Sequence, residues 1–233
     1  ATLSYTIDNQ KNTYSSDFTI LVLVKDESGA VVKKLSQHYQ LTGASSALDG
    51  AKKAQIIFYR EATLPPGSYS VEAIAYDAAT ARAGITKASV QVPVPDPAKL
   101  RLSSVVVIRR VEKLPPADQK PDNPLQYGAM LVYPNLGEPL SKAAKRPLAF
   151  FVTIYPPKGA ASPPKLTIEV DTKDGKSLAA VSPALPAADA SGRIQFGTGF
   201  PIDGFPPGDY ALKITVGEGT DSASRSTAFS VQP

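Results

Sequence analysis

The string Leu64-Pro65-Pro66-Gly67-Ser68-Tyr69-Ser70-Val71 returns as Phe205-Pro206-Pro207-Gly208-Asp209-Tyr210-Ala211-Leu212, so this chain writes one structural unit twice. Paired prolines hold φ at about −65° and remove two N–H donors, which keeps them out of a central strand, while the glycine accepts a tight turn. The chain therefore turns at both places. After each turn apolar residues alternate: Tyr69, Val71, Ala73 and Ala75 in the first copy, and Tyr210, Leu212, Ile214 and Val216 in the second. That period of two is the signature of a half-buried strand.

The two corners lie 205 − 64 = 141 residues apart, and the closing strings Ser89-Val90-Gln91 and Ser230-Val231-Gln232 keep the offset, 230 − 89 = 141, without a gap. An earlier hairpin also recurs, Val24-Lys25-Asp26-Glu27-Ser28-Gly29 against Val170-Asp171-Thr172-Lys173-Asp174-Gly175, each an apolar strand entering an acidic turn that ends in Gly. Its offset is 175 − 29 = 146, so the first copy is longer between hairpin and corner, and the loop Gly43-Ala44-Ser45-Ser46 falls in that interval. In immunoglobulin-like sandwiches a tyrosine at such a corner bonds back to nearby backbone. Tyr69 and Tyr210 are accordingly expected to be buried with their hydroxyls on backbone, the alternative being rings that face a ligand. Loss of either hydroxyl is expected to cost about 1–3 kcal/mol.

With 233 residues, 22 Pro, 16 Gly and no long 3.6-residue periodicity, the chain is expected to be all-β, two tandem antiparallel immunoglobulin-like or fibronectin-like β-sandwiches. Strands are predicted at 3–7, 18–24, 31–41, 55–59, 69–76 and 85–92, then at 100–111, 125–133, 148–155, 166–170 and 194–196 and after the second corner, with a Pro- and Asp-rich loop at 114–124. The alternating prolines of Val92-Pro93-Val94-Pro95-Asp96-Pro97 favour an extended spacer. The domains are thus set at 1–93 and 99–233, joined by a linker at 94–98. If Tyr5-Thr6-Ile7 corresponds to Val152-Thr153-Ile154, the first domain has no counterpart of the strands at 100–133: either it is a smaller sandwich, or its opening strands lie upstream of Ala1. Ala1 is not an initiator Met and no signal peptide follows it, the pattern of a processed chain or an excised fragment.

The order Leu-Pro-Pro-Gly-x-Tyr, strand, Asp77 with a small-residue turn to Gly84, a strand ending Val92-Pro93, then Leu100-Arg101-Leu102-Ser103-Ser104, resembles the C-terminal tandem β-sandwich region of exported bacterial von Willebrand factor A-related proteins. The resemblance covers most of the chain and implies an extracytoplasmic setting, whether secreted, periplasmic or at the cell surface. The Asp-x-Ser-x-Ser metal motif of the A-type domain is absent, the nearest string being Asp221-Ser222-Ala223-Ser224, so no metal site is carried over.

Chemistry-bearing patterns are sparse. No Cys occurs, which excludes disulfides and thiolate catalysis and fits either a cytosolic chain or an exported β-protein that folds without bridges. His38 is the sole histidine and reads as an exposed strand residue; Gly175-Lys176-Ser177 reads as a hairpin turn, not a phosphate loop; Asp171 and Asp174 read as an acidic turn, not a calcium loop. No catalytic residue, cofactor or metal is expected, although glycosidase-type carboxylate pairs, being a spatial property, stay open. The apolar run at 148–154 is far below the roughly 18 residues of a membrane helix. The charge of +4 is spread over Lys33-Lys34, Lys52-Lys53, Arg109-Arg110 and 142–146 with acids between them, which argues against nucleic acid. What remains is a non-catalytic interaction, adhesion or spacer region with a protein partner. The alternatives are a carbohydrate-binding module, with Tyr127, Tyr133 and Tyr155 as its stacking platform, or an accessory domain of a hydrolase.

Overall fold

The computed structural model describes residues 3–120, 123–160, 164–218 and 221–233. The fold is all-β and divides into two compact units, Ala1–Pro95 and Asp96–Pro233. The loop expected at 114–124 contains residues 121 and 122, which lie outside the described residues; its described part holds a single 3-10 turn, Pro116–Asp118.

In the first unit the strands are β1 (Thr6–Asp8), β2 (Thr13–Lys25), β3 (Val31–Ala44), β4 (Gly67–Asp77) and β5 (Arg82–Val92), with a six-residue helix α1 (Leu48–Lys53) between β3 and β4. β2 is central: β3 lines one side of it, and β4 and β1 share the other, with β5 beyond β4. The β2–β3 turn closes at Gly29, whose N–H donates to the Asp26 carbonyl at 2.9 Å with φ +84°.

The second unit contains β6 (Arg101–Leu102), β7 (Val106–Lys113), β8 (Gln126–Tyr127), β9 (Met130–Pro134), β10 (Leu140–Ser141), β11 (Leu148–Tyr155), β12 (Leu166–Thr172), β13 (Ser177–Val181), β14 (Ile194–Phe200), β15 (Gly208–Glu218) and β16 (Asp221–Gln232). One sheet runs β10-β16-β15-β12-β13; the other runs β14-β11-β7-β9-β8, with β6 also on β11. Alternate residues of β11 (Leu148, Phe150, Val152, Ile154) meet Leu166, Ile168 and Val170 of β12 and Leu212, Ile214 and Val216 of β15 in one core. Beyond Val107, β7 leaves β11 and pairs with β9, and the β9–β8 hairpin returns over the opposite face of β11, where Tyr127 meets Phe151 at 5.5 Å between ring centroids. Two expected strands are therefore each two. The stretch 100–111 breaks between Leu102 and Val106, and 125–133 turns back at Gly128, which takes φ +56°.

The repeat is visible as a shared register. Val24 faces Val71 on β2–β4, and Val170 faces Leu212 on β12–β15, the positions offset by 146 and 141 residues. The second hairpin turn repeats the first, the Gly175 N–H donating to the Thr172 carbonyl at 2.9 Å, again with φ +84°. The ungapped spacing fails in the closing hairpins. Tyr69 faces Val90, but Tyr210 faces Phe229, two residues short of Val231. A four-residue connection follows Asp77 and a two-residue one follows Glu218, and because the slip is even every side chain keeps its face.

The first unit departs from the expected sandwich: its described strands form one sheet. Tyr5-Thr6-Ile7 is not the counterpart of the middle of β11, because Thr6–Asp8 adds to the edge of β2 within the repeated sheet, whereas β11 is the centre of the second sheet. Residues 55–59, expected as a strand, join no ladder, and among the described residues no strand stands where β11 pairs with β14 in the other unit. Leu3, Tyr5, Lys52, Ala54 and Ile56 instead oppose Phe18, Ile20 and Ala75 across a cleft of about 480 Å³. Positions equivalent to fully buried ones consequently stay half-buried: Val71 against Leu212, which is 0% exposed. Leu212→Ala should cost about 2–5 kcal/mol, as core truncations do. Val71→Ala should cost roughly 1 kcal/mol or less, being part-exposed already. Urea melts of the two variants check the contrast, and equal losses would contradict it.

Candidate functional site

The corners place their tyrosines inside. Tyr69 is 9% exposed and its hydroxyl donates to the Pro65 carbonyl at 2.8 Å; Tyr210 is 5% exposed and donates to the Pro206 carbonyl at 2.5 Å. In both, the ring reaches four residues back across the Pro-Gly turn. Pro66 and Pro207 are exposed, and Gly67 and Gly208 take matching φ values of +157° and +159°. Tyr210 also packs on Phe205 and Phe229, with centroids at 5.5 and 5.3 Å. Pro206 itself is exposed, so once the phenol is gone its carbonyl can turn to water. Tyr210→Phe should then cost the net worth of one hydrogen bond, about 0.5–1.5 kcal/mol, the lower part of the range expected from sequence. Equilibrium unfolding monitored separately on each unit should show the loss in the second; a loss shared equally by both would contradict it.

Tyr127, Tyr133 and Tyr155 sit in three different surroundings. Tyr127 lies over Gly197 and against Phe151, where a Cβ on Gly197 would come within 3.5 Å of the ring. Tyr133 has the Arg110 guanidinium 3.4 Å above its centroid and donates its hydroxyl to Glu112, which also pairs with Arg110. Tyr155 faces the Arg101 guanidinium at 5.2 Å. Each ring thus has a partner within the chain on one face.

Several charged groups have partners within the chain. Arg109 pairs with Glu138, Lys142 donates to the Asp203 carbonyl, and His38 Nε2 lies 2.7 Å from Asp17 Oδ1, where Gln40 joins it. The hydrogen bond with His38, more than any other contact, holds the Asp17 carboxyl below its ordinary pKa. Thr172 lowers Asp174 in the same way at the β12–β13 turn, and Gly175, Lys176 and Ser177 close that turn. Among the described residues no three His, Asp or Glu side chains converge on one point. Among the same residues no helix is long and apolar enough to cross a membrane.

Glu72 on β4 accepts from Lys25 Nζ at 2.7 Å and Lys87 Nζ at 2.8 Å, bridging three neighbouring strands. The Lys25 bond first and the Lys87 bond second pull its pKa down to about 2. A carboxylate depressed in the folded state stabilises fully above its unfolded pKa, about 4.3, and that contribution is lost as pH falls through the folded value. Acid titration of stability should therefore show a loss between about pH 4 and the value near 2 that Glu72→Gln makes shallower; an identical acid limb in the variant would contradict the assignment.

Among the described strands the first unit's sheet has two open edges, one on β3, which pairs only with β2, and one on β5. The inner side of β5 pairs with β4 along all eleven residues, and among the described residues no strand pairs with its outer side. Ile85 and Val90 are 62% and 41% exposed. Its counterpart β16 is treated differently: β10 adds to it in parallel, Leu140 facing Val231 and Ser141 facing Gln232. This two-residue strand was not foreseen, being too short to carry an alternation signal. No protein-family model matches the chain, and no curated protein matches it.

Proposed function

We propose that this chain is a non-catalytic, extracytoplasmic region of a larger exported bacterial protein of the von Willebrand factor A-related kind, holding two β-domains in tandem for contact with a protein partner or for adhesion. The observation that carries the reading is the free edge of β5. An exposed edge strand offers a row of unpaired N–H and C=O groups, and β-strand addition is a standard way for one protein to hold another. Within this chain the equivalent edge, on β16, accepts an added strand in β10. The exposed Ile85 and Val90 would add side-chain selectivity to the backbone pairing. The sugar-platform alternative draws less support, because each of its three tyrosines already has a partner on one face.

A photo-crosslinking residue at position 85 or 90, in the cells that produce the protein, should yield a discrete protein adduct. The same residue at Lys173, on a hairpin turn of the second unit, should yield none. Absence of any protein adduct from both edge positions, with glycan binding that is lost on Tyr127→Ala, would overturn the reading.

A further inference from the structure

Arg101 of the second unit lies beside an open cleft and, among the described residues, has no counter-charge. Three arginines here are partly buried: Arg109 pairs with Glu138, Arg193 pairs with Asp189, and the Arg101 side chain has neither an ion pair nor a hydrogen bond among the described residues. Its Nε is enclosed and unsatisfied. A partly desolvated guanidinium normally recovers that loss from an acid or a carbonyl. Arg101 is instead held by the face of Tyr155, its ladder partner on β11, with the guanidinium carbon 5.2 Å from the ring centroid.

Arg101 lines a cleft of about 650 Å³, within the range of ligand sites. Its other walls are mainly Pro97, Pro156, Pro157 and Ile194, with Lys158 as the second cation and no carboxylate among the lining residues. The acids that adjoin the lining in sequence are committed elsewhere: Asp96 accepts from the Ala98 N–H and pairs with Lys99, and Asp189 accepts from the Ser191 and Arg193 N–H groups and from the Arg193 side chain. The Asp189 bonds also set the Ser191–Gly192 wall in place, and the Lys158 N–H donates to the Pro97 carbonyl to tie the opposite wall. The site is pre-organised rather than assembled on binding.

We propose that this cleft binds an acidic peptide segment of a protein partner, a carboxylate taking the Nη groups of Arg101 while the aliphatic part of the peptide lies on the prolines. Guanidinium is the cation best shaped for a carboxylate. A peptide fits better than a sugar acid because only Arg101, Lys158 and Ser191 among the lining side chains are polar, and a ring with a hydroxyl on most carbons would leave several unsatisfied. The proposal rests on the protein-contact reading above but concerns a different surface, so the two fail separately.

The test is a titration of the 15N-labelled full chain with Ac-Ala-Glu-Ala-NH2, and with the Gln analogue, followed by amide shifts at low salt. The Glu peptide should give saturable shifts at Tyr155, Lys158 and Gly192, and the Gln peptide should bind about tenfold more weakly. Arg101→Gln should lose about tenfold, and Lys158→Gln about threefold. Should Arg101→Gln not fold, the Glu-versus-Gln contrast and Lys158→Gln decide. No shift at these amides, an equal response to both peptides, or unchanged binding by folded Arg101→Gln would overturn the proposal. Shifts produced by glucuronate or inorganic phosphate where the Glu peptide gives none would overturn the peptide assignment as well. A silent cleft with edge adducts intact at position 85 would remove this site and leave the β5 reading standing.

Discussion

A sheet that is apolar on one face holds together only if a second layer takes that face out of water, and both units are built around that requirement. They share a four-stranded sheet in matched register, with Val24 on Val71 in one and Val170 on Leu212 in the other. In the second unit the covering layer is another sheet, and Leu212, Ile214 and Val216 are fully buried. In the first unit the cover is a strap made of the opening residues, α1 and the run that leads from it to the corner. Phe18 and Val24 are buried beneath it, while Ile20, Val22 and Val71 keep part of their surface. Val71 and Leu212 differ in burial with the cover above them, while the corner tyrosines are buried under both.

The Pro-Pro-Gly-x-Tyr corner is the joint between cover and sheet in both units. In the second it carries the chain from β14 into β15; in the first it carries the strap into β4. The prolines keep the crossing segment out of either ladder, and the tyrosine hydroxyl ties the start of the strand to the carbonyl before the second proline. This economy explains why the corner string also serves a unit whose described strands form one sheet: its task is local, four residues long, and indifferent to what the cover is made of.

The units differ again at their last strand. β16 has β10 along one end, whereas β5 is open over its length and displays Ile85 and Val90. Cationic side chains on β5, Arg82 and Lys87, are the kind of residue that discourages indiscriminate edge pairing. On the reading proposed above, an open but charged edge suits a chosen partner more than self-association.

Much of this was legible in the residues. The all-β class, the corners, the acidic turns at Gly29 and Gly175 and the division of the chain near its proline-rich stretch are set by local backbone preference, which acts within a few residues. The failures share one cause. Whether 55–59 becomes a strand depends on a partner across the sheet, and Tyr5-Thr6-Ile7 took the edge of β2 instead of supplying one. Whether β5 or β16 is open depends on Leu140 and Ser141 arriving from ninety residues away in sequence. The Arg101 cleft likewise exists because β6, the 156–160 turn and the 187–194 loop meet, and nothing in the spacing of Arg101 announces it. Alternation and turn chemistry determine where a strand starts, ends and points its side chains; pairing and covering are long-range choices among strands that look alike, and only the tertiary structure makes them.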